Sequence, residues 1–254
     1  MSTESINNGY YGKVSTHGDF VSRGLPASFI SPWDAWLQEA ILNSQQQLGD
    51  SWLSCYLTGP IYRFVLAPGI CGENGWMGVM MPSVDKIGRY YPMTIVTMNR
   101  LNINPFIALQ NETEWFTQVE NLALSSLEDN FSLQHFNSEL DKLKSEVLFN
   151  DCESLIPEAQ IIQQTTHHAW QRSMGEHQAI SNVLPCFLDN LLKDCCFAYS
   201  LWWTQGSEQV ASSFLICEGL PPFDGVAGML DGNWQKWGWE ESRYPSLPFG
   251  VQKE

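Results

Sequence analysis

Apolar positions recur at helical spacing early in the chain. Trp33, Trp36, Leu37, Ala40 and Ile41 fall at i, i+3, i+4, i+7 and i+8, which gathers them on one helical face. Ser31 suits an N-cap, Pro32 the first helical position, and Asp34 adds negative charge in the first turn. Gly49 suits the helix end. Before this helix, residues 9–23 predict a short strand that gives way to a loop at Thr16-His17-Gly18-Asp19. After it come three strand-like runs. "IYRFVLA" (61–67) stops at Pro68-Gly69, "WMGVMMP" (76–82) follows the turn at 72–75, and "MTIVTMN" (93–99) follows Pro92. Short successive strands without long crossovers predict antiparallel pairing. The polar, glycine-bearing "SVDKIGRYY" between the second and third runs is the best candidate for a functional loop.

Further along, Trp115, Val119, Leu122 and Ser126 share one face of a helix predicted within 111–129. A second helix is expected over 137–149, capped by Asn137 or Ser138. Residues 151–182 turn polar and predict a loop or a boundary between subdomains. "AYSLWWT" (198–204) and "ASSFLIC" (211–217) form a hairpin pattern around Gln205-Gly206-Ser207. In such a strand Trp202 and Trp203 point to opposite faces, one into the core and the other under a helix or to the surface. The Gly- and Pro-rich end leaves room for one short helix near Phe223–Leu230. These elements predict an α/β fold of the α+β type: a mainly antiparallel mixed sheet flanked by helices, sandwich-like. Residues 8–135 would form an N-terminal unit, with 136–254 packed on it or continuous with it.

Composition narrows the function. The 254-residue chain is 44% hydrophobic, enough for a sizeable core, and rich in Trp, Phe and Tyr. It holds 28 Asp and Glu against 13 Lys and Arg, a net charge of −15. That charge repels nucleic-acid phosphates and anionic lipid, and suits basic surfaces on other proteins. No apolar run reaches the roughly 20 residues of a membrane-spanning helix. "MSTESINNGYYGK" has neither the charged nor the apolar region of a signal peptide. Seven cysteines form an odd set without a framework, and Cys195-Cys196 sits in an apolar run where Cys acts as a small buried hydrophobe. A cytoplasmic protein with reduced thiols is the expectation.

The chemical motifs fail one by one. Gly12-Lys13 hints at a phosphate loop, but Asn7 and Val14 stand where the motif needs Gly and Ser or Thr. His167 and His168 are adjacent and His177 is isolated, so ligand spacing for a metal is missing. Ser83-Val84-Asp85-Lys86 matches S-x-x-K without its K-T-G companion, and Ser83 after Pro82 suits a turn. No Cys has the basic or helix-start context of a nucleophile. His17 and Asp19 could serve as an acid–base pair with Arg23 binding an anion. The structural alternative has Asp19 accepting backbone N–H bonds at the turn, Arg23 paired with a carboxylate, and Asp85 paired with Arg89. The structural alternative is favoured, and no catalytic, cofactor or metal site is expected.

"YYGKVSTHGDFVSRGLP" followed by Pro32, Trp33, Asp34, Trp36 and Leu37 resembles the start of the TagF/ImpM family, proteins associated with bacterial type VI secretion. The resemblance rests on Gly12, Lys13, Gly18, Asp19, Phe20, Val21, Arg23, Leu25 and Pro26. It continues at 62–72, 78–94, 200–210 and 219–232. It implies a TagF-like N-terminal domain at 8–135 and a non-enzymatic cytoplasmic accessory protein. Such a protein would regulate, by repression, the assembly or firing of the apparatus post-translationally. Its implied partner is a scaffold with a forkhead-associated domain, beside a threonine kinase and phosphatase pathway. Nucleic acid and direct membrane insertion are not implied. The interaction candidates are Lys13, His17, Asp19, Arg23, Asp85 and Arg89. The competing reading is an enzyme or an anion- or phospho-ligand-binding protein with a pocket of His17, Asp19, Arg23, Asp85 and Arg89.

Overall fold

The computed structural model describes residues 8–99, 104–128, 130–144 and 183–240. Its strands are β1 (Asn8–Gly12), β2 (Val21–Arg23), β3 (Tyr62–Leu66), β4 (Gly75–Met81), β5 (Met93–Asn99), β6 (Tyr199–Thr204) and β7 (Ser213–Glu218). They form one sheet in the order β2-β1-β5-β4-β3-β6-β7. Every pairing is antiparallel. Helices α1 (Ala27–Leu48), α2 (Trp52–Leu57) and α7 (Val226–Asp231) lie on one face. The other face carries α3 (Pro105–Asn111), α4 (Thr113–Ser125), α5 (Leu133–Leu140) and α6 (Leu184–Cys195).

This layering explains why the central strands lack a polar alternation. With both faces covered, each side chain along β3 is buried. Tyr62, Phe64 and Leu66 meet α1, and Val65 meets α4. Arg63 is the polar exception on the α4 face. Its guanidinium makes two bonds to Glu120, at 2.7 and 2.6 Å. On β6, Trp202 is fully buried among Trp33, Trp36 and Phe64, while Trp203 turns to the other face and meets Phe116 of α4 edge-on. The β6–β7 hairpin and a short helix at 226–231 follow the sequence pattern.

Several helices depart from expectation. α1 begins at Ala27, not after Ser31, and Pro32 lies inside it. Extended Pro26 (φ −76, ψ 157) supplies the start, its carbonyl accepting from the N–H groups of Phe29 and Ile30. Pro32 has no N–H for the Ser28 carbonyl. Ser28 is exposed, so water can take that bond, and the extra turn buries Phe29 against Trp33 and Trp76. α5 is capped by Ser132, whose hydroxyl accepts from His135 N–H, and Asn137 and Ser138 lie within it. α3, capped by Asn104 with Pro105 at its first position, and α6 were not expected at all. Cys195 at the end of α6 is exposed and Cys196 half-buried, so neither is the buried hydrophobe that its apolar run suggested. The expected loop or boundary at 151–182, the histidines 167, 168 and 177, and the upper part of the 137–149 helix lie outside the described residues.

Candidate functional site

Two loops meet at one end of the sheet: Lys13–Phe20 between β1 and β2, and Pro82–Pro92 between β4 and β5. They are neighbours because β1 pairs with β5. Gly12 makes the junction possible. Its φ is +148°, and a Cβ there would stand 2.8 Å from Met93 Cα and nearer still to the Pro92 carbonyl, so only glycine lets the strands approach. Hydrogen bonds to backbone carbonyls then lace the loops together. Lys86 N–H donates to the His17 carbonyl at 3.0 Å, Ser83 Oγ donates to the Lys13 carbonyl at 2.7 Å, and the Arg89 guanidinium donates to the Gly18 carbonyl. The second loop is itself a small hairpin, bridged at Val84–Tyr90 and held by Tyr56 OH donating to the Ser83 carbonyl. Ser83 lies at the base of this hairpin, outside the turn predicted for it, and its hydroxyl is spent on the Lys13 carbonyl.

Asp85 is the centre of the junction. Its side chain is shut off from solvent, and Oδ2 lies 3.0 Å from Lys13 Nζ and 2.7 Å from Arg89 Nε. Oδ1 accepts the backbone N–H groups of Ile87 and Arg89 at 3.0 and 2.9 Å. Burial alone would raise its pKa. The bonds from Arg89 N–H, the Lys13 and Arg89 side chains and Ile87 N–H outweigh it and hold the carboxyl well below the usual carboxylate range.

A second network adjoins the first. Asp34 on α1 accepts from Tyr11 OH at 2.9 Å and Tyr91 OH at 2.7 Å on one oxygen, and from Gln38 on the other. Burial, then the carboxylate beside each phenol, pushes Tyr11 up to about 12 and Tyr91 further. Phe20 links the networks: it stacks on Tyr11, meets Tyr91 edge-on, and lies 5.1 Å beneath Lys13 Nζ. Tyr11, Asp34 and Tyr91 were not singled out from sequence as one network. Only the β1–β5 register and the crossing of α1 bring them together.

The six sequence candidates do not form one pocket. Lys13, Asp85 and Arg89 are joined directly, Asp19 approaches Arg89 at 3.7 Å, and His17 joins through its backbone. The His17 ring pairs with Thr16 Oγ1, not with Asp19. Asp19 is fully exposed and takes no backbone bond among the described residues, against the expected turn role. Arg23 stands apart on the other face. It makes two 2.9 Å bonds to Asp141, and Tyr10 reaches Asn137 beside it. That pairing with a carboxylate, and the Asp85–Arg89 pair, match the structural alternative. Exposed on the junction remain Phe20, Lys86 and Ile87, with Arg89 half-exposed.

A general base needs a lone pair open to substrate. That of Asp85 is enclosed by four bonds. Among the described residues no cluster of three His, Cys, Asp or Glu side chains is placed to hold a metal, and no helix is long and apolar enough to cross a membrane.

A family model for the TagF N-terminal domain, type VI secretion system-associated, matches residues 9–143. The crystal structure of PA0076 from Pseudomonas aeruginosa PAO1 is similar with a TM-score of 0.75 and 33% sequence identity, over 95% of this chain and 100% of that one. None of the curated proteins matches.

Proposed function

The chain belongs to the TagF N-terminal domain family, type VI secretion system-associated, and from that premise we propose that it is a non-enzymatic cytoplasmic regulator. It acts post-translationally, repressing assembly or firing by binding a scaffold with a forkhead-associated domain, beside a threonine kinase and phosphatase pathway. The observation that carries the non-enzymatic part is the enclosure of Asp85. The motif residues Lys13, Asp85 and Arg89 spend their charges and hydrogen bonds on one another and tie two loops together. What the junction presents outward is Phe20 and Ile87 flanked by Lys86, Arg89 and Asp19. Apolar side chains ringed by charge are the anatomy of a protein-binding patch.

Deleting the gene and measuring secretion tests the direction of regulation. Increased secretion supports a repressor, and loss of secretion makes the protein an assembly factor instead. A point variant, Phe20→Ala with Ile87→Ala, should reproduce the deletion while the protein stays folded and abundant. Unchanged secretion would move the function off this patch.

A further inference from the structure

The helical layer formed by α1, α2 and α7 carries an apolar feature beside the loop junction. Where these helices converge over β3 and β4 lies an apolar recess of about 40 Å³, partly open to solvent. Trp36, Leu37, Ile41, Tyr62, Val226 and Leu230 are among its walls. Leu42 of α1, Leu53 and Leu57 of α2, and Phe223 just before α7 are exposed on the same elements.

The helices around the recess carry charge of one sign, and the nearest loop cations in sequence, Lys86 and Arg89, lie between its wall residues Pro82 and Pro92. Residues 24–62 and 204–235, which supply these helices and the turns between them, contain no Lys or Arg. They contain Asp34, Glu39, Asp50, Glu208, Glu218, Asp224 and Asp231. The cations bordering these stretches are already engaged. Arg23 pairs with Asp141 and Arg63 with Glu120, both at the opposite face, and Lys236 lies 4.1 Å over the Trp237 ring. Asp34 and Asp231 hold neighbouring side chains in place, and Glu218 alternates with Cys217 away from this face, which leaves Glu39, Asp50, Glu208 and Asp224 as exposed carboxylates with no ion pair among the described residues.

We propose that this face docks a basic amphipathic segment of a partner protein, a Lys- or Arg-rich stretch whose apolar side chains enter the recess. Helix-in-groove recognition asks for this pairing of an apolar slot with a complementary charged rim. The rim charges steer and orient the segment, and the buried anchor supplies most of the affinity. An acidic segment or an anionic lipid surface is repelled. The recess borders the second junction loop at Tyr56, Pro82 and Pro92, and the inference does not depend on which partner the junction meets.

The probe is a synthetic peptide with Leu and Lys at helical spacing, titrated calorimetrically into the full chain beside its Glu-for-Lys counterpart. The Lys peptide should bind, more weakly as salt rises, and the Glu peptide should not. Asp50→Lys with Asp224→Lys reverses two exposed charges whose carboxylates hold no other side chain in place. With the fold checked by circular dichroism, that variant should bind the Lys peptide about tenfold more weakly. Equal binding of both peptides, an unaffected charge-reversed variant, or no binding by folded wild-type protein would overturn the proposal. Self-association of the chain that the reversal abolishes would assign the recess to a second copy and overturn it too.

Discussion

Gly12→Ala and Gly18→Ala change neighbouring motif glycines by the same methyl group, yet should differ sharply. At Gly12 the new Cβ would adopt φ +148° and press on Met93 Cα, 2.8 Å away, and on the Pro92 carbonyl. Backbone strain of this kind costs about 1–3 kcal/mol, and overpacking roughly another 1–3 kcal/mol. The sum, about 2–6 kcal/mol, is a large part of the roughly 5–15 kcal/mol that holds a protein folded. β1 and β5 would have to part, which also draws Lys13 from Asp85. At Gly18 a Cβ meets no atom within 4 Å, and open surface substitutions stay within about 0.5 kcal/mol. Urea unfolding followed by tryptophan fluorescence separates the two. With a slope of roughly 3 kcal/mol per molar, Gly12→Ala should lower the midpoint by about 0.7–2 M, and Gly18→Ala by under about 0.2 M. Equal midpoints for the two variants would refute the close-approach argument. A stable Gly18→Ala protein that loses partner binding would make Gly18 a contact and not a turn-former.

Asp85→Asn should destabilise the protein at neutral pH, with a pH signature. Because the folded carboxyl is held below its unfolded value of about 3.9, its stabilisation is complete above that pH and is lost as pH falls through the depressed folded value. Urea midpoints of wild type and variant should therefore run parallel from pH 8 to about 5 and converge below about 4. Parallel curves down to pH 3 would contradict it. Arg63→Met leaves the Glu120 carboxylate, 19% exposed, without its partner and should cost about 2–4 kcal/mol. Arg63→Met with Glu120→Leu should recover most of that loss in the same unfolding assay. Trp202→Ala, at a fully buried position, should cost about 3–5 kcal/mol, and Trp203→Ala clearly less; equal losses would mean that the two faces of β6 are packed alike.

β5 was legible to the residue in the sequence, because a β-branched run between Pro92 and the next polar stretch has one reading. The start of α1 was not. Ser31-Pro32 is a good local helix start, but the buried stripe continues back to Phe29, and tertiary packing overrode the local signal. α3 had a signal, Asn104 before Pro105, in a stretch too short to show helical periodicity. The site divides in the same way. Asp85 and Arg89, four residues apart, pair as local spacing suggests. Lys13 and Asp85 are far apart in sequence, and Asp34 sits on a helix of another layer. Only sheet register and helix crossing bring them to the junction, and a single sequence does not carry that information. Arg23 was grouped with the junction because it is near in sequence. Strand alternation sends it to the other face, where Asp141 waits.

The proposed function rests on recognition of a secretion scaffold by the loop-junction surface. Calorimetric titration of the folded protein with the forkhead-associated scaffold from the same gene cluster, at two salt concentrations, tests it directly. Binding at micromolar affinity or tighter, roughly −8 kcal/mol or better, is expected. Binding should weaken at high salt, and weaken further for Phe20→Ala with Ile87→Ala. No heat of binding from protein shown to be folded would contradict that recognition.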